Sequence, residues 1–322
     1  MQALVLGGTG FIGGQIVRAA LDAGYGVRVL RRRHTVGALA DIAHRVDWLY
    51  GDLADQDALR AAAAGCDVLF HAAAHYPQSS KNIRAEVAYA ETQMGRVLEM
   101  ARQSGAQRLI YTSSMTTIGF PTEPGRLADE RDYYTPGTSG SAYYEAKFAM
   151  ERMALQAAAD GMPVVVLLPS AVFGPGDVKP TTGQVLVEVA RGRVPFYFDA
   201  ALNIVDGRDV ALAHIRAAEQ GRVGHRYIIG GNNLTLRQVL TVATQVAGVA
   251  TPRIKLPRTL VRAVVQWAGE LPAVEISEHA RTLRFWQPLS TLKAEHELAL
   301  SPRPFMHTVQ DTLDWFRQHS YL

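Results

Sequence analysis

Cysteine is nearly absent. The 322 residues contain one, Cys66, and a lone thiol cannot close an internal disulfide, so a disulfide-held secreted scaffold is excluded. Long apolar runs are missing as well: the stretch Val164 to Pro169 is wholly apolar, yet a membrane span needs roughly 20 such residues. Lysine is scarce, with five lysines against 28 arginines in a chain of net charge +3. Only Arg31, Arg32 and Arg33 form a tight basic run, and no aromatic residues interleave with it, so the pattern of a nucleic-acid-binding face is lacking. No internal repeat at 20–50 residues is present. What remains, 48% hydrophobic and 20% charged residues, is the composition of an ordinary globular protein with a sizeable core. The opening Met-Gln-Ala-Leu-Val-Leu enters a strand pattern without a basic, cleavable leader, so a cytoplasmic location is expected.

The first half alternates short apolar runs with helix-length amphipathic stretches. Strands are expected at Ala3 to Leu6, Val27 to Leu30, Asp47 to Tyr50, Val68 to Phe70, Leu109 to Tyr111 and Val164 to Leu168. Helices are expected at Phe11 to Ala23, Asp55 to Ala64, Ile83 to Ser104 and Ala142 to Ala159, with Gly24, Gly65, Gly105 and Gly161 where left-handed C-terminal caps belong. Strand followed by helix, repeated, implies the α/β class and a doubly wound parallel sheet of the Rossmann type. After about residue 170 the rhythm loosens into Gly- and Pro-rich loops and helical patterns near Arg208 to Glu219, Leu236 to Ala247, Arg258 to Trp267 and Thr308 to Gln318. The expected division is a nucleotide-binding domain over 1–169 with a return segment near 202–230, and a smaller, mostly helical C-terminal substrate domain over 170–201 and 231–322.

The first strand runs directly into Gly7-Gly8-Thr9-Gly10-Phe11-Ile12-Gly13, which opens a helix. Gly7 permits a tight turn, Gly10 lets backbone amides approach a pyrophosphate, Gly13 allows close helix–strand packing, and the helix N-terminus faces the anion. The second strand ends at Leu30-Arg31, where NAD-binding chains place an acidic residue. A guanidinium there pairs with the extra phosphate of NADP, so Arg31, helped by Arg32 or Arg33, points to NADP over NAD. Tyr143 and Lys147 are four residues apart on a helix and so share one face; a nearby ammonium favours the phenolate, which makes Tyr143 a candidate general acid or base. Strand five ends in Tyr111-Thr112-Ser113-Ser114, placing hydroxyls at the ligand-binding edge of the sheet, and Ser114 is preferred over Ser113 as the partner of the reacting oxygen. His71 and His75 lie beyond strand four in a loop that does not keep metal-ligand spacing, so no metal is expected.

The combination of GGTGFIG at 7–13, GDL at 51–53, HAAA at 71–74, YTSS at 111–114, YYEAK at 143–147 and GPGD at 174–177 resembles the extended short-chain dehydrogenase/reductase family. GPGDVKPT at 174–181, ARGRVPFY at 190–197, GGNNLTLRQVL at 230–240 and DWFRQHSYL at 314–322 are similar to its dihydroflavonol-reductase-like branch, which includes hopanoid-associated sugar epimerase-like bacterial proteins. The resemblance implies Ser114, Tyr143 and Lys147 as the catalytic residues, with Lys147 also holding the nicotinamide ribose. It implies a cofactor lying along Gly7, Thr9, Gly10, Phe11, Ile12 and Gly13, with Asp52 and Leu53 at the adenine. Ala72, Ala73 and Ala74 would follow the cofactor backbone, Thr112 would adjoin it, and Pro169, Ala171 and Val172 would border the nicotinamide. Relatives often dimerise through the helices that correspond here to Ile83 to Ser104 and Ala142 to Ala159.

Two departures bear on the reaction. Ala90 stands where many relatives carry the asparagine of a proton relay, and Leu168 and Ala171 stand where many nucleotide-sugar epimerases carry an arginine and an asparagine. An apolar or aromatic carbonyl substrate therefore suits Leu168, Ala171, Phe173, Phe196 and Tyr197, which are expected to face the pocket. The expected activity is NADP-dependent hydride transfer to or from a carbonyl or carbinol carbon of a hydrophobic small molecule. The alternatives are a nucleoside-diphosphate-sugar epimerase or dehydratase that retains its NAD(P), and a non-catalytic NADP sensor.

Overall fold

The computed structural model describes residues 1–73, 75–77, 80–180, 182–257, 259–261 and 282–322. Ala74 and most of the expected helix Arg258 to Trp267 lie outside the described residues.

Seven parallel strands form the main sheet: β1 (Gln2–Leu6), β2 (Gly26–Arg31), β3 (Val46–Tyr50), β4 (Val68–His71), β5 (Arg108–Thr112), β6 (Val164–Pro169) and β10 (Arg226–Ile229). Their spatial order is β10-β6-β5-β4-β1-β2-β3, so the strand order reverses direction between β1 and β4, and the crevice at that switch point is where such sheets bind ligands. The β1–β4 register runs from Ala3 opposite Val68 to Leu6 opposite His71, which brings the loop after β1 beside the loop after β4.

Helices cover both faces. On one side α1 (Phe11–Asp22) packs against α6 (Gly207–Gln220), and α6 in turn packs against α8 (Leu292–Leu298), closing a core that includes Ile16, Val17, Val210, Ile215 and Leu298. On the other side lie α2 (Gln56–Ala63), α3 (Ile83–Ser104) and α4 (Ala142–Ala159). The long α3 shows why its sequence folds so: Ala90, Met94, Val97, Leu98 and Ala101 fall on one buried stripe. The Asn82 side chain accepts from Ala85 N–H at the start, and Gly105 closes the helix at φ +70°. Removing the Met94 side chain from this stripe costs about 2–5 kcal/mol.

The second lobe holds β7 (Ala171–Phe173), α5 (Gln184–Ala190), β8 (Phe196–Phe198), β9 (Ala201–Asp206), β11 (Asn232–Thr235), α7 (Leu236–Ala247), β12 (Ile254–Leu256) and α9 (Phe305–Gln318). A three-stranded sheet, β11-β9-β7, and a two-stranded pair, β12-β8, accompany its helices around a separate core of Leu186, Leu240, Val309, Leu313 and Phe316. The chain then returns: α6 and β10 rejoin the main sheet after β9.

Candidate active site

The loop between β1 and α1 is built for close approach. Gly7 adopts φ +87°, and a Cβ there would meet Ala73 N at 2.6 Å; a Cβ on Gly13 would meet Gly7 O at 2.1 Å. Glycine is therefore required at both positions by the abutting backbone. The helix that follows has no side-chain cap at Gly10 and no acidic residue in its first turn, leaving its first amides and positive dipole end directed toward an anion. The site fits a dinucleotide pyrophosphate on these grounds. Phe11 and Ile12 continue from this loop into the wall of the main cavity, whereas a Cβ on Gly37 would meet the carbonyl of Thr9 at 2.4 Å, so Thr9 lies under the 37–45 turn.

At the far end of β2, the Arg31 guanidinium stacks over Trp48 at 4.7 Å and lies 5.9 Å from the Tyr50 ring. Its Nη1 donates to the His34 carbonyl at 3.1 Å, while its buried Nε has no partner. The Arg32 guanidinium lies 3.7 Å from the Asp52 carboxylate, which also accepts from Ala54 N–H at 2.8 Å. Leu53 packs against the core beneath. The structure thus gathers Arg31, Arg32 and Asp52 at one sheet edge, with the arginine face held flat by two rings.

Ser114, Tyr143 and Lys147 come from two elements, the turn after β5 and the first turns of α4. Tyr143 lies at the cavity with its ring 4.7 Å from that of Tyr76. Burial pushes its phenol up, and the interacting Ser114 hydroxyl opposes that push. Lys147 is 3% exposed and donates from Nζ to the Thr112 carbonyl at 3.0 Å. Burial lowers it to about 8, with Glu151 pulling the other way. Ser113, the alternative serine, gives its hydroxyl to the Glu151 carboxylate, whereas the Ser114 Oγ receives Thr116 N–H at 3.2 Å.

Thr112 connects the site to the opposite helical layer. Its hydroxyl lies 2.7 Å from His214 Nε2, and His214 Nδ1 lies 2.8 Å from the Val210 carbonyl. The imidazole therefore donates at Nδ1 and accepts at Nε2, and burial holds it neutral by lowering it to about 4. His71, wholly enclosed at the end of β4, is lowered to about 3 by burial and by the Lys147 charge; both ring nitrogens lack protein partners. His75 pairs instead with Glu86. Ala90 packs in the core stripe of α3.

A cavity of about 350 Å³ opens over Ser114 and Tyr143 between the two lobes. Pro169, Ala171 and Val172 line it, as does Phe173. Three expectations are corrected here. Leu168 belongs to the interior strand β6, which lies next to the edge strand β10 and whose own residues are all buried, and it packs into the core on the α3–α4 side. Phe196 is 44% exposed on the short strand β8, and Tyr197 packs into the core of the second lobe. The wall comes instead from Val185, Leu202, Leu236, Val239 and Trp286, positions distant in sequence, of which Leu236 and Val239 fall in the GGNNLTLRQVL segment. Thr116 and Ser170 also line it, and neither hydroxyl has a protein partner; Ser170 stands one residue past the end of β6, at the ligand edge of the sheet. The single charged lining residue among those described is Asp177, and no arginine, lysine or histidine joins it. Burial raises Asp177 to about 6 against the amides of Lys179 and Gly183.

Comparison with known proteins gives this arrangement a family. The model of the NAD dependent epimerase/dehydratase family matches residues 3–230. A Synechocystis sp. protein named as a dihydroflavonol 4-reductase is 34% identical, covering 99% of this chain and 95% of its own. Sterol demethylase protein B of Methylococcus capsulatus is 28% identical over the full length of both. The crystal structure of a nucleoside-diphosphate-sugar epimerase from Pseudomonas aeruginosa superposes with a TM-score of 0.85 at 25% identity, covering 100% and 99% of the two chains. With a glycine loop shaped for a dinucleotide, a tyrosine and lysine on one helix and these relatives, the chain belongs to the NAD-dependent epimerase/dehydratase family, and it is an NAD(P)-dependent enzyme of the extended short-chain dehydrogenase/reductase type that acts on a small molecule.

Proposed function

We propose that the protein is an NADP-dependent oxidoreductase that transfers hydride between nicotinamide and a carbonyl or carbinol carbon of a hydrophobic small molecule. The observation that carries this reading is the cavity: Tyr143 and Ser114 line a space whose wall includes Val185, Leu202, Val239 and Trp286, with no cation among its described lining residues. A sugar-nucleotide diphosphate brings two negative charges, which such a wall and Asp177 would leave unpaired. A ketone or aldehyde on an apolar body meets no such penalty.

The bound dinucleotide supplies or accepts the hydride at its nicotinamide. In the reductive direction the Tyr143 hydroxyl gives its proton to the substrate oxygen as that oxygen gains charge, and Ser114 donates a second hydrogen bond to it. Lys147, lowered by burial to about 8 and so still largely charged at neutral pH, offsets the phenolate left behind and readies it for the next proton. Thr116 and Ser170 offer hydroxyls to a polar substituent of the substrate. Gly7 and Gly10 would hold the pyrophosphate, Gly13 keeping the helix close against the loop, and Arg31 would meet the 2′-phosphate with its ring-backed guanidinium.

The test combines NADPH consumption with a panel of apolar ketones and aldehydes. Net consumption is the expected result, and Arg31→Asp should invert the preference between NADPH and NADH. Product formed from a nucleotide sugar without net NADPH consumption would favour the second reading, a cofactor-retaining epimerase, which the similarity to the Pseudomonas epimerase supports. The same proposal places the enzyme in the cytoplasm as a homodimer. The groove along α3 and α4, lined by Val87, Leu98, Phe148 and Met153, supports pairing through those helices, and sedimentation would report the mass. No helix among the described residues is long and apolar enough to cross a membrane.

A further inference from the structure

Glu151 stands one helical turn beyond Lys147 on α4 and is 1% exposed. A buried carboxylate calls for an explanation, since removing its charge from water costs several kcal/mol. Its partners come from two other segments, the turn after β5 and strand β10. Oε2 accepts from the Ser113 hydroxyl and from Thr117 Oγ1, the latter at 2.7 Å, and Oε1 meets Arg226 Nε at 2.7 Å in a pair whose side chains are 2% and 3% exposed. Arg226 extends the network by donating to the Thr117 carbonyl at 3.0 Å and to the Glu130 carbonyl at 2.8 Å.

Ser113 and Thr117 bracket Ser114, and Thr117 N–H donates to the Ser114 carbonyl at 3.2 Å. One carboxylate on the helix that carries Tyr143 and Lys147 therefore binds both sides of the turn that carries Ser114. We propose that Glu151 is a positioning residue: with Arg226 as its counter-charge, it locks Ser114 in place against Tyr143 and Lys147 and sets a negative charge one turn from the Lys147 ammonium. A purely stabilising role would be met as well by two apolar side chains of similar volume, but those could not hold both flanking hydroxyls. Reacting groups drawn from separate elements need such support to stay within about 0.5 Å of their working geometry.

The inference rests on Ser114, Tyr143 and Lys147 being the reacting groups, and its test has an arm that needs no substrate. With only five lysines in the chain, the Lys147 ε-carbon can be followed by ¹³C NMR and assigned with Lys147→Arg. The charged and titratable groups that face it are Glu151 on α4, Tyr111 on β5 with its ring 5.5 Å from Nζ, and His71 on β4, with Tyr143 one turn before it on α4 and Arg226 of β10 behind Glu151. Glu151→Gln keeps the shape and removes the charge. It should lower the Lys147 midpoint by about one pH unit or more, a tenfold loss of proton affinity, and slow NADPH-linked turnover by about tenfold or more while the KM for NADPH stays within about threefold. Glu151→Asp should hold the midpoint within about half a pH unit and recover part of the rate.

An unmoved Lys147 midpoint in folded Glu151→Gln, or a loss confined to melting temperature, overturns the proposal. Should Glu151→Gln fail to fold, Ser113→Ala removes one strap and keeps the charge; an unmoved midpoint with about fivefold slower turnover is then expected, and an unchanged rate overturns it. A wild type that reduces no carbonyl compound but shows the shifted midpoint in Glu151→Gln would refute the reductase reading and leave the Glu151 proposal standing.

Discussion

Lys147 Nζ donates to the carbonyl of Thr112 at 3.0 Å, and the hydroxyl of that same threonine meets His214 from the far side of the sheet at 2.7 Å. One residue at a strand end thus ties an ammonium in one helical layer to an imidazole in the other. Because burial holds Lys147 near 8, below its ordinary 10.5, the unfolded chain binds the extra proton between those values. The Lys147 contribution to stability therefore rises as pH climbs through that window. Lys147→Met should remove this slope: urea midpoints of wild type minus variant are expected to increase from pH 8 toward 10, and NADPH-linked turnover by the variant should fall by about a thousandfold.

His214 and His71 act in acid. Both are lowered by burial, so the unfolded chain takes up protons that the folded one refuses, and stability falls as pH drops from about 6.5 toward 4. His214→Asn should flatten part of that slope in denaturant titrations at pH 7, 6 and 5. An unchanged slope would mean that His214 is not held neutral by the fold.

Tyr143→Phe keeps the ring against Tyr76 and removes the proton-carrying oxygen. Turnover should fall by about 10²–10⁴-fold, with NADPH affinity, read from its fluorescence, within about threefold of wild type. A variant with wild-type turnover would exclude Tyr143 as the proton donor.

Gly13→Ala should abolish dinucleotide binding and lower the melting temperature, because its Cβ would sit 2.1 Å from the Gly7 carbonyl. Gly10→Ala meets that same carbonyl at 3.3 Å and should perturb folding far less. Comparable melting temperatures for the two variants would contradict the packing described.

Asp177 carries a folded-state value raised to about 6 from an ordinary 3.8. The folded chain then holds the proton more tightly, and its stability declines as pH rises through that window. Asp177→Asn has no such titration, so its advantage over wild type should grow from pH 4 to 6 and level above it in thermal melts.

Strand and helix periodicity made the sheet legible, and α3, α4 and α7 begin and end where the helical patterns place them, with Gly105 closing α3 and Gly161 following α4 at positive φ. The second lobe was less legible. Its strands β7, β8 and β12 have three residues each, too few for an alternation to register, and they exist through their partners. The glycine loop and the Tyr143–Lys147 pair announced themselves because their chemistry is local. Trp286 and Leu236 did not, since only folding brings them to the cavity. Leu168 misled for another reason: a strand buried on both faces gives no sequence clue to which side a leucine takes.

The late return of the chain to its main sheet has a consequence for dissection of the molecule. The edge strand next to β6 and the helix beside α1 are both encoded after the first strands of the second lobe. A fragment ending near residue 169 would carry every glycine of the dinucleotide loop yet leave β6 as a raw edge and strip the cover from Ile16 and Val17. Such a piece is expected to aggregate rather than bind nucleotide. The two lobes are therefore interlaced in synthesis order, and the enzyme should unfold as one cooperative unit.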